Sequence, residues 1–495
     1  MKFLFGIIII LFSAPMIFGK GGYEIKVKIE NYKEKELYFG YHFADKQYLK
    51  DTAKMDADGT FTFKGDKELE GGIYLIITPP DKKYFQVLIN KGDQHFSLTT
   101  NEDLSLEKMK VKGSPDNKLF YEYMGYLSSR RPYADSLKNM MSKLDKVKDK
   151  AEYERLDNQI NKIDKDVNDL QLKIIKENKG TLTAEIIRAS RDIDVPEYAD
   201  LDKKDAQFAK YYYYKDHYFD NINMSDPRML RTPLMQGKID YYLTKIVPQH
   251  PDSISIGIDK IMELIKGNEE SLKFYSVHFI NYYAKSEFVG MDAVYVHLSD
   301  EYLEKGKMPW ISKEDSTKIV ENAHALKPIL IGKTAPDLKP LLKLDSTGYS
   351  SLYSIKSPYT LVYFWNPDCG HCKKTTPYIV EFYEKFKDKG VEVCAICTEV
   401  GENAVKKCMD SAKEKGLEQD ILVLQPGEKI DILPKALDDT CFVASSHYYT
   451  TLANRTEANH GKINPDIAWQ IMGEGVARTS ALHIVLFIWN INMRY

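Results

Sequence analysis

Two cysteines separated by two residues, in Cys369-Gly370-His371-Cys372, are the side chains of this 495-residue chain best suited to chemistry. At the start of a helix, unpaired backbone N–H groups and the positive end of the helix dipole favour a thiolate on the first cysteine. A thiol so placed has a pKa in the range of about 3.5 to 7.5. Cys369 is then the attacking nucleophile, and Cys372, one turn on, is the resolving thiol that displaces the mixed disulfide. Gly370 is expected to allow a tight turn. His371 offers a second donor to the thiolate, which stabilises the reduced form and makes the pair more oxidising. Pro377 removes a backbone donor and should bend the helix so that its first turn aims N–H groups at Cys369. Trp365 is expected to cover the site from one side.

A cysteine pair at this spacing is also half of a zinc site, but zinc takes about four ligands and no second pair stands in a suitable context. Cys394-Ala395-Ile396-Cys397 repeats the spacing within a predicted strand. Positions three apart there face opposite sides, which marks core. No metal and no separate cofactor is therefore expected, and the redox-active group is the Cys369–Cys372 pair itself. All six cysteines lie between Cys369 and Cys441, whereas a disulfide-stapled scaffold would spread them more widely.

The pair needs a strand and a helix to position it. Tyr359 to Trp365 reads as a buried strand, Cys372 to Lys387 as a helix closed by Gly390, and Val391 to Ile396 as a second strand, making a βαβ unit. Upstream, Gly332-Lys333-Thr334-Ala335-Pro336 breaks a helical pattern. A hairpin is expected across Leu341 to Leu352, turning at Asp345-Ser346-Thr347-Gly348.

The rest of the chain is too long for one core. Alternation of period two from Tyr23, an Asp58-Gly59 turn before Thr60 to Phe63, and strand candidates at Ile73–Thr78, Tyr84–Ile89 and His95–Thr99 predict an antiparallel β-sandwich over residues 20–115. Helical patterning covers 116–325. Leu156, Ile160, Ile163, Val167, Leu170 and Ile174 form one apolar stripe, expected to be the packing seam of a coiled-coil-like arm. Tyr211-Tyr212-Tyr213-Tyr214, with His217, Tyr218 and Phe219, is expected to pack between helices with phenol groups at the rim.

Lys2, the apolar run Phe3 to Phe12 and the small residues Ser13, Ala14 and Gly19 read as a secretory signal peptide over residues 1–19. The run is too short for a spanning helix, and no cysteine near its end suggests a lipid anchor, so a soluble exported protein is expected. A formal net charge of -3, from 69 basic and 72 acidic residues, provides no field for nucleic acid or anionic lipid. The fold class expected is thus multidomain: sandwich, helical middle region and a C-terminal α/β module over 326–425, followed by an atypical segment at 426–495.

Phe364-Trp365, Cys369-Gly370-His371-Cys372-Lys373 and Pro377 resemble the motif of TlpA/ResA-like thioredoxin-fold oxidoreductases, with Pro367 inside the same loop. The order of segments resembles multidomain envelope proteins of Bacteroidota. The resemblance implies a periplasmic or envelope thiol-disulfide oxidoreductase acting on exported protein thiols and disulfides, and recycled by a membrane or envelope thiol donor. Two departures stand out. Tyr363 occupies the place where many thioredoxins carry a buried acid that helps deprotonate the resolving cysteine. The family's cis-proline opposite the dithiol has no clear counterpart after Gln425, where Leu433-Pro434 is a weak candidate and the apolar Leu482 to Trp489 reads unlike the family, as a replaced or frame-altered end would. The alternative reading is a non-catalytic envelope binding or structural protein with a degenerate thioredoxin-like module.

Overall fold

The computed structural model describes residues 21–338, 340–343, 348–399 and 403–414, together with strands at 421–424 and 485–489. The expected signal peptide, the turn residues Asp345 to Thr347, Leu433-Pro434 and Cys441 lie outside the described residues. The chain forms two compact units, Met1–Ile246 with Leu264–Ser271, and Val247–Glu263 with Leu272–Tyr495.

In the first unit, β1 (Tyr23–Glu30), β2 (Glu36–Phe43), β3 (Lys46–Lys54), β4 (Thr60–Gly65), β5 (Gly72–Thr78), β6 (Lys83–Ile89), β7 (His95–Asn101) and β8 (Lys110–Lys112) build the expected sandwich. Its two four-stranded sheets have the orders β4-β1-β7-β8 and β3-β2-β5-β6. Every pairing is antiparallel except β1 with β7, which is parallel. The alternation in β1 buries Ile25, Val27 and Ile29 while Lys26 and Lys28 face outward. The sheets meet through side chains such as Phe39 and Phe63, whose ring centroids are 5.0 Å apart.

The sandwich hands over to helices through buried polar side chains. Asn117, early in α1 (Pro115–Met141), accepts from the Leu88 N–H (2.8 Å) and donates to the Leu88 carbonyl (2.7 Å), satisfying both backbone groups of an edge-strand residue. α1 packs against α2 (Lys150–Glu177) as the expected arm. Leu156 and Ile160 bury against Leu137, and Ile174 buries against Tyr123, with Ile163 and Leu170 partly buried along the same seam. α3 (Leu182–Ser190), α4 (Lys203–His217) and α5 (Pro233–Tyr241) complete the unit. The tyrosine run lies on α4: Tyr211 donates to the Ile246 carbonyl (2.8 Å), Tyr212 is exposed, and the following Tyr218 and Phe219 are buried against Tyr242.

The second unit takes in most of α6 (Pro251–Ile265) and α7 (Glu269–Ala284), then α8 (Asp292–Leu298) and α9 (Lys313–Leu326). His297 of α8 meets Asp259 of α6 at 2.9 Å, and Tyr302 donates to the same carboxylate at 2.6 Å. No helix among the described residues is long and apolar enough to cross a membrane.

The unit ends in a six-stranded sheet. β9 (Leu341–Lys343) and β10 (Tyr349–Ser350) form the expected hairpin. β11 (Tyr359–Trp365) and β12 (Val391–Cys397) run parallel, joined by α10 (Gly370–Phe386) as the expected βαβ unit. Gly390, at φ 81°, closes the connection in the left-handed region that glycine adopts without strain. α11 (Ala404–Glu414) follows, then β13 (Ile421–Leu424) and β14 (Val485–Trp489), giving the order β10-β9-β13-β12-β11-β14. β14 comes from the apolar C-terminal run that reads unlike the family. It pairs antiparallel with β11, from Tyr359 opposite Trp489 to Tyr363 opposite Val485, so β11 is hydrogen-bonded on both sides.

Candidate dithiol site

β11 is buried along its whole length bar Tyr359, and it delivers the chain at Trp365 to a short loop, Asn366-Pro367-Asp368. The loop is fixed locally: the Asp368 N–H donates to Asn366 Oδ1 (2.9 Å) and the Cys369 N–H to the Asn366 carbonyl (3.2 Å). Pro367 is buried, and its ring fixes φ where the chain turns into the helix.

Cys369 is the N-cap of α10, with extended backbone angles (φ -68°, ψ 113°), and its sulfur accepts the Cys372 N–H at 3.4 Å. A sulfur thus stands where serine or aspartate usually caps a helix, at the positive end of the dipole. Cys369 is partly exposed and Cys372 is buried at 4% exposure, an asymmetry that suits an attacking and a resolving thiol. The Asn366 N–H points to the Cys372 sulfur at 3.5 Å.

Below the pair, Tyr363 on β11 hydrogen-bonds Thr376 on α10 (3.0 Å), and Thr376 donates to the Cys372 carbonyl (2.7 Å). Burial, with the two cysteine sulfurs nearby, pushes the Tyr363 hydroxyl far above its ordinary range. It therefore stays protonated and faces Cys372 as a neutral hydrogen-bonding group, where an acid would offer a base.

Two expectations for the neighbours change. Gly370 has no left-handed φ, and a Cβ built on it would meet nothing within 4 Å, so neither turn geometry nor crowding demands glycine there. Trp365 does not cover the site from outside. It is 1% exposed and belongs to the core cluster that also holds Cys372, Ile379 and Cys397, with Cys369 packed against it. α10 runs from Gly370 to Phe386 with Pro377 inside it and exposed, and the Cys369 sulfur accepts the Cys372 N–H at the first turn. His371 and Lys373 are exposed on that turn, and the Lys373 N–H donates to the Cys369 carbonyl (3.1 Å).

Sequence reasoning missed a second layer. Cys394 and Cys397 are fully buried, as expected of core, but Cys397 is disulfide-bonded to Cys408 of α11. Nearby, Asn366 Nδ2 donates to Glu399 (2.8 Å), and the Lys407 ammonium contacts both Glu399 (2.8 Å) and Asp368. Pro367, Asp368, Lys373 and Lys407 contribute to the wall of a cavity of about 700 Å³. Only the cysteine spacing of the 397–408 pair was visible in the sequence; the ion pairs join residues up to 39 positions apart with no local signal.

A cysteine pair capping the helix of a βαβ unit defines a thioredoxin-fold dithiol site. In agreement, residues 331–429 match the family described as AhpC/TSA, while residues 23–120 and 174–327 match two families described as domains of unknown function (DUF4369 and DUF5106). The C-terminal part of the chain is a TlpA/ResA-like module. Its similar curated proteins include the thiol-disulfide oxidoreductase ResA of Bacillus cereus, 38% identical over 77 residues, or 15% of this chain and 43% of that one. The ResA of Bacillus anthracis is 36% identical over the same length and shares. The chain thus spans less than half the length of these relatives. Among solved structures, the thioredoxin domain of a thiol-disulfide oxidoreductase from Bacteroides vulgatus is 30% identical, covering 22% of this chain and 73% of that one, with a TM-score of 0.19. A thioredoxin-like protein from Bacteroides caccae is 17% identical, covering 51% and 88%, with a TM-score of 0.37.

Proposed function

We propose that this chain is a thiol-disulfide oxidoreductase of the cell envelope, exchanging disulfides with exported protein thiols through Cys369 and Cys372. The observation that carries the reading is the capping of α10 by the Cys369 sulfur, with the second thiol buried one turn behind it.

In the reducing direction, the Cys369 thiolate attacks one sulfur of a substrate disulfide. That S–S bond breaks, a mixed disulfide forms, and the other substrate sulfur leaves as a thiolate that takes up a proton. Cys372 then loses its proton and attacks the Cys369 sulfur, releasing the second substrate thiolate. The Cys369–Cys372 disulfide remains, having passed two electrons to the substrate, and an envelope thiol donor returns them. The reverse sequence oxidises a dithiol by the same steps. The cysteine pair carries the electrons with no separate cofactor or metal. Export through the residue 1–19 leader agrees with a chain whose six cysteines all lie between Cys369 and Cys441, away from the other domains.

The test is reduction of insulin in the presence of a small dithiol. The wild-type chain is expected to accelerate it and Cys369→Ser to abolish the acceleration. A wild-type chain no faster than the dithiol alone, with Cys369 alkylated at the rate of a model thiol at pH about 5, would instead support the non-catalytic alternative.

A further inference from the structure

The groups that steady the loop in front of Cys369 come from the residues after β12 and from α11. Glu399 follows that strand and receives Asn366 Nδ2 (2.8 Å). Lys407, in the first turn of α11, contacts Glu399 (2.8 Å) and also Asp368, the residue next to the nucleophile. α11 is itself stapled at the next residue, since Cys408 is bonded to Cys397 at the end of β12. Both sulfurs of that staple are fully buried, out of reach of a thiol reagent, which assigns them a structural role.

We propose that Lys407 is a positioning residue for the chemistry of Cys369: by pairing with Asp368 and Glu399 it cancels negative charge that would otherwise oppose the thiolate. The inference rests on the reading of Cys369 as the attacking sulfur. A carboxylate beside a thiolate disfavours ionisation, and at separations on the order of 7 Å in a partly solvated site each uncancelled charge is worth about half to one pH unit. The hydrogen bonds to Asp368 and Glu399 also hold the Lys407 ammonium above its ordinary range, so it is charged wherever the thiol titrates.

The other charged and titratable groups around the sulfur sit on every neighbouring element. His371 and Lys373 lie on the first turn of α10, exposed. Tyr363 faces up from β11 in its neutral form. Lys406, Asp410 and Glu414 of α11 line the same cavity as Asp368 and Lys407. Lys407 directly contacts Asp368, the residue preceding the nucleophile, and Glu399 as well.

The experiment is the pH dependence of iodoacetamide alkylation at Cys369 in the full-length chain, read by peptide mass spectrometry so that the other cysteines do not interfere. Lys407→Met is expected to raise the midpoint by about half to one pH unit, and Lys407→Arg to keep it near wild type. Adding Asp368→Asn to Lys407→Met should reverse more than half of the shift, which a merely structural role of Lys407 would not produce. Asp368→Asn alone, which keeps the lysine, should lower the midpoint and serves if Lys407→Met does not fold. An unchanged midpoint in Lys407→Met, or a shift that Asp368→Asn leaves in place, overturns the proposal while the oxidoreductase reading stands. A wild-type chain with no acid-shifted alkylation and no insulin reduction overturns both.

Discussion

The Cys369 sulfur accepts the backbone N–H of Cys372 across 3.4 Å, so the first thiol of the pair caps the helix that carries the second. On the proposed reading of Cys369 as a thiolate, forming a disulfide between them requires the first sulfur to give up its role as a charged cap. That exchange couples the redox state of the pair to the stability of the first turn of α10, because an ionised acceptor at a helix N-terminus is worth roughly 0.5 to 2 kcal/mol.

Tyr363 stands where a buried acid would be, and its hydroxyl remains protonated beside Cys372. In the proposed exchange its hydroxyl supports the resolving residue through Thr376, which donates to the Cys372 carbonyl, an interaction worth about 1 kcal/mol. Tyr363→Phe is therefore expected to slow resolution of the mixed disulfide about three- to tenfold while leaving alkylation of Cys369 unchanged. Acid-quenched time courses would show the mixed disulfide accumulating; a variant that resolves at the wild-type rate removes Tyr363 from the mechanism.

The Cys397–Cys408 disulfide closes a loop with a sequence separation of 11, for which restricting the unfolded chain stabilises by about 3 kcal/mol. Cys397→Ala with Cys408→Ala should lower the urea midpoint of the C-terminal module accordingly. The same variant should still form a mixed disulfide at Cys369. Loss of that reaction with the fold intact would mean the buried pair takes part in exchange.

Leu156 is 1% exposed in the seam of the α1–α2 arm, against Leu137 and Ile160. Truncating a buried leucine to alanine costs about 2 to 5 kcal/mol. Leu156→Ala should release the arm to rapid amide hydrogen exchange without altering insulin reduction. An equal loss of activity would tie the arm to catalysis.

The pair His297–Asp259 gives the helical region a pH signature. The hydrogen bond to Asp259 raises His297 above its ordinary value, despite burial. Burial works against ionisation of Asp259, yet hydrogen bonds from His297 and Tyr302 hold it below its ordinary value. A raised histidine contributes stability that is full below its unfolded pKa and lost as pH rises through the folded one; a depressed aspartate contributes stability lost as pH falls through its folded value. The pair is strongest between those limits. Asp259 is 42% exposed, so solvent screening limits the contribution to about 0.5 to 1 kcal/mol. Asp259→Asn should destabilise more at pH about 5.5 than at about 8.5; an equal loss at both would place the contribution in Tyr302 alone.

The βαβ unit and its dithiol were legible because three local signals agree: an apolar run at Tyr359–Trp365, a glycine closing the helix at Gly390, and cysteines at the strand-to-helix junction. The arm was legible from the spacing of Leu156, Ile160 and Ile174. What sequence could not give were relations set by tertiary packing. Cys397 pairs with a helix residue because β12 and α11 adjoin, and Lys407 reaches Asp368 for the same reason. The parallel pairing of β1 with β7 leaves no mark on either strand, since both alternate as antiparallel strands do. The pairing of β14 with β11 joins segments more than a hundred residues apart, and the apolar run that supplies it carries no family motif.

The most direct measurement is the trapping of the mixed disulfide. With Cys372→Ser in the full chain, reaction with oxidised glutathione should add one glutathione, mapped by mass spectrometry to Cys369, and the adduct should persist because no resolving thiol remains. In Cys369→Ser the buried Cys372 should acquire none. Glutathione found on Cys372 in that variant, or no adduct at Cys369 in the first, would contradict the assignment of Cys369 as the attacking sulfur.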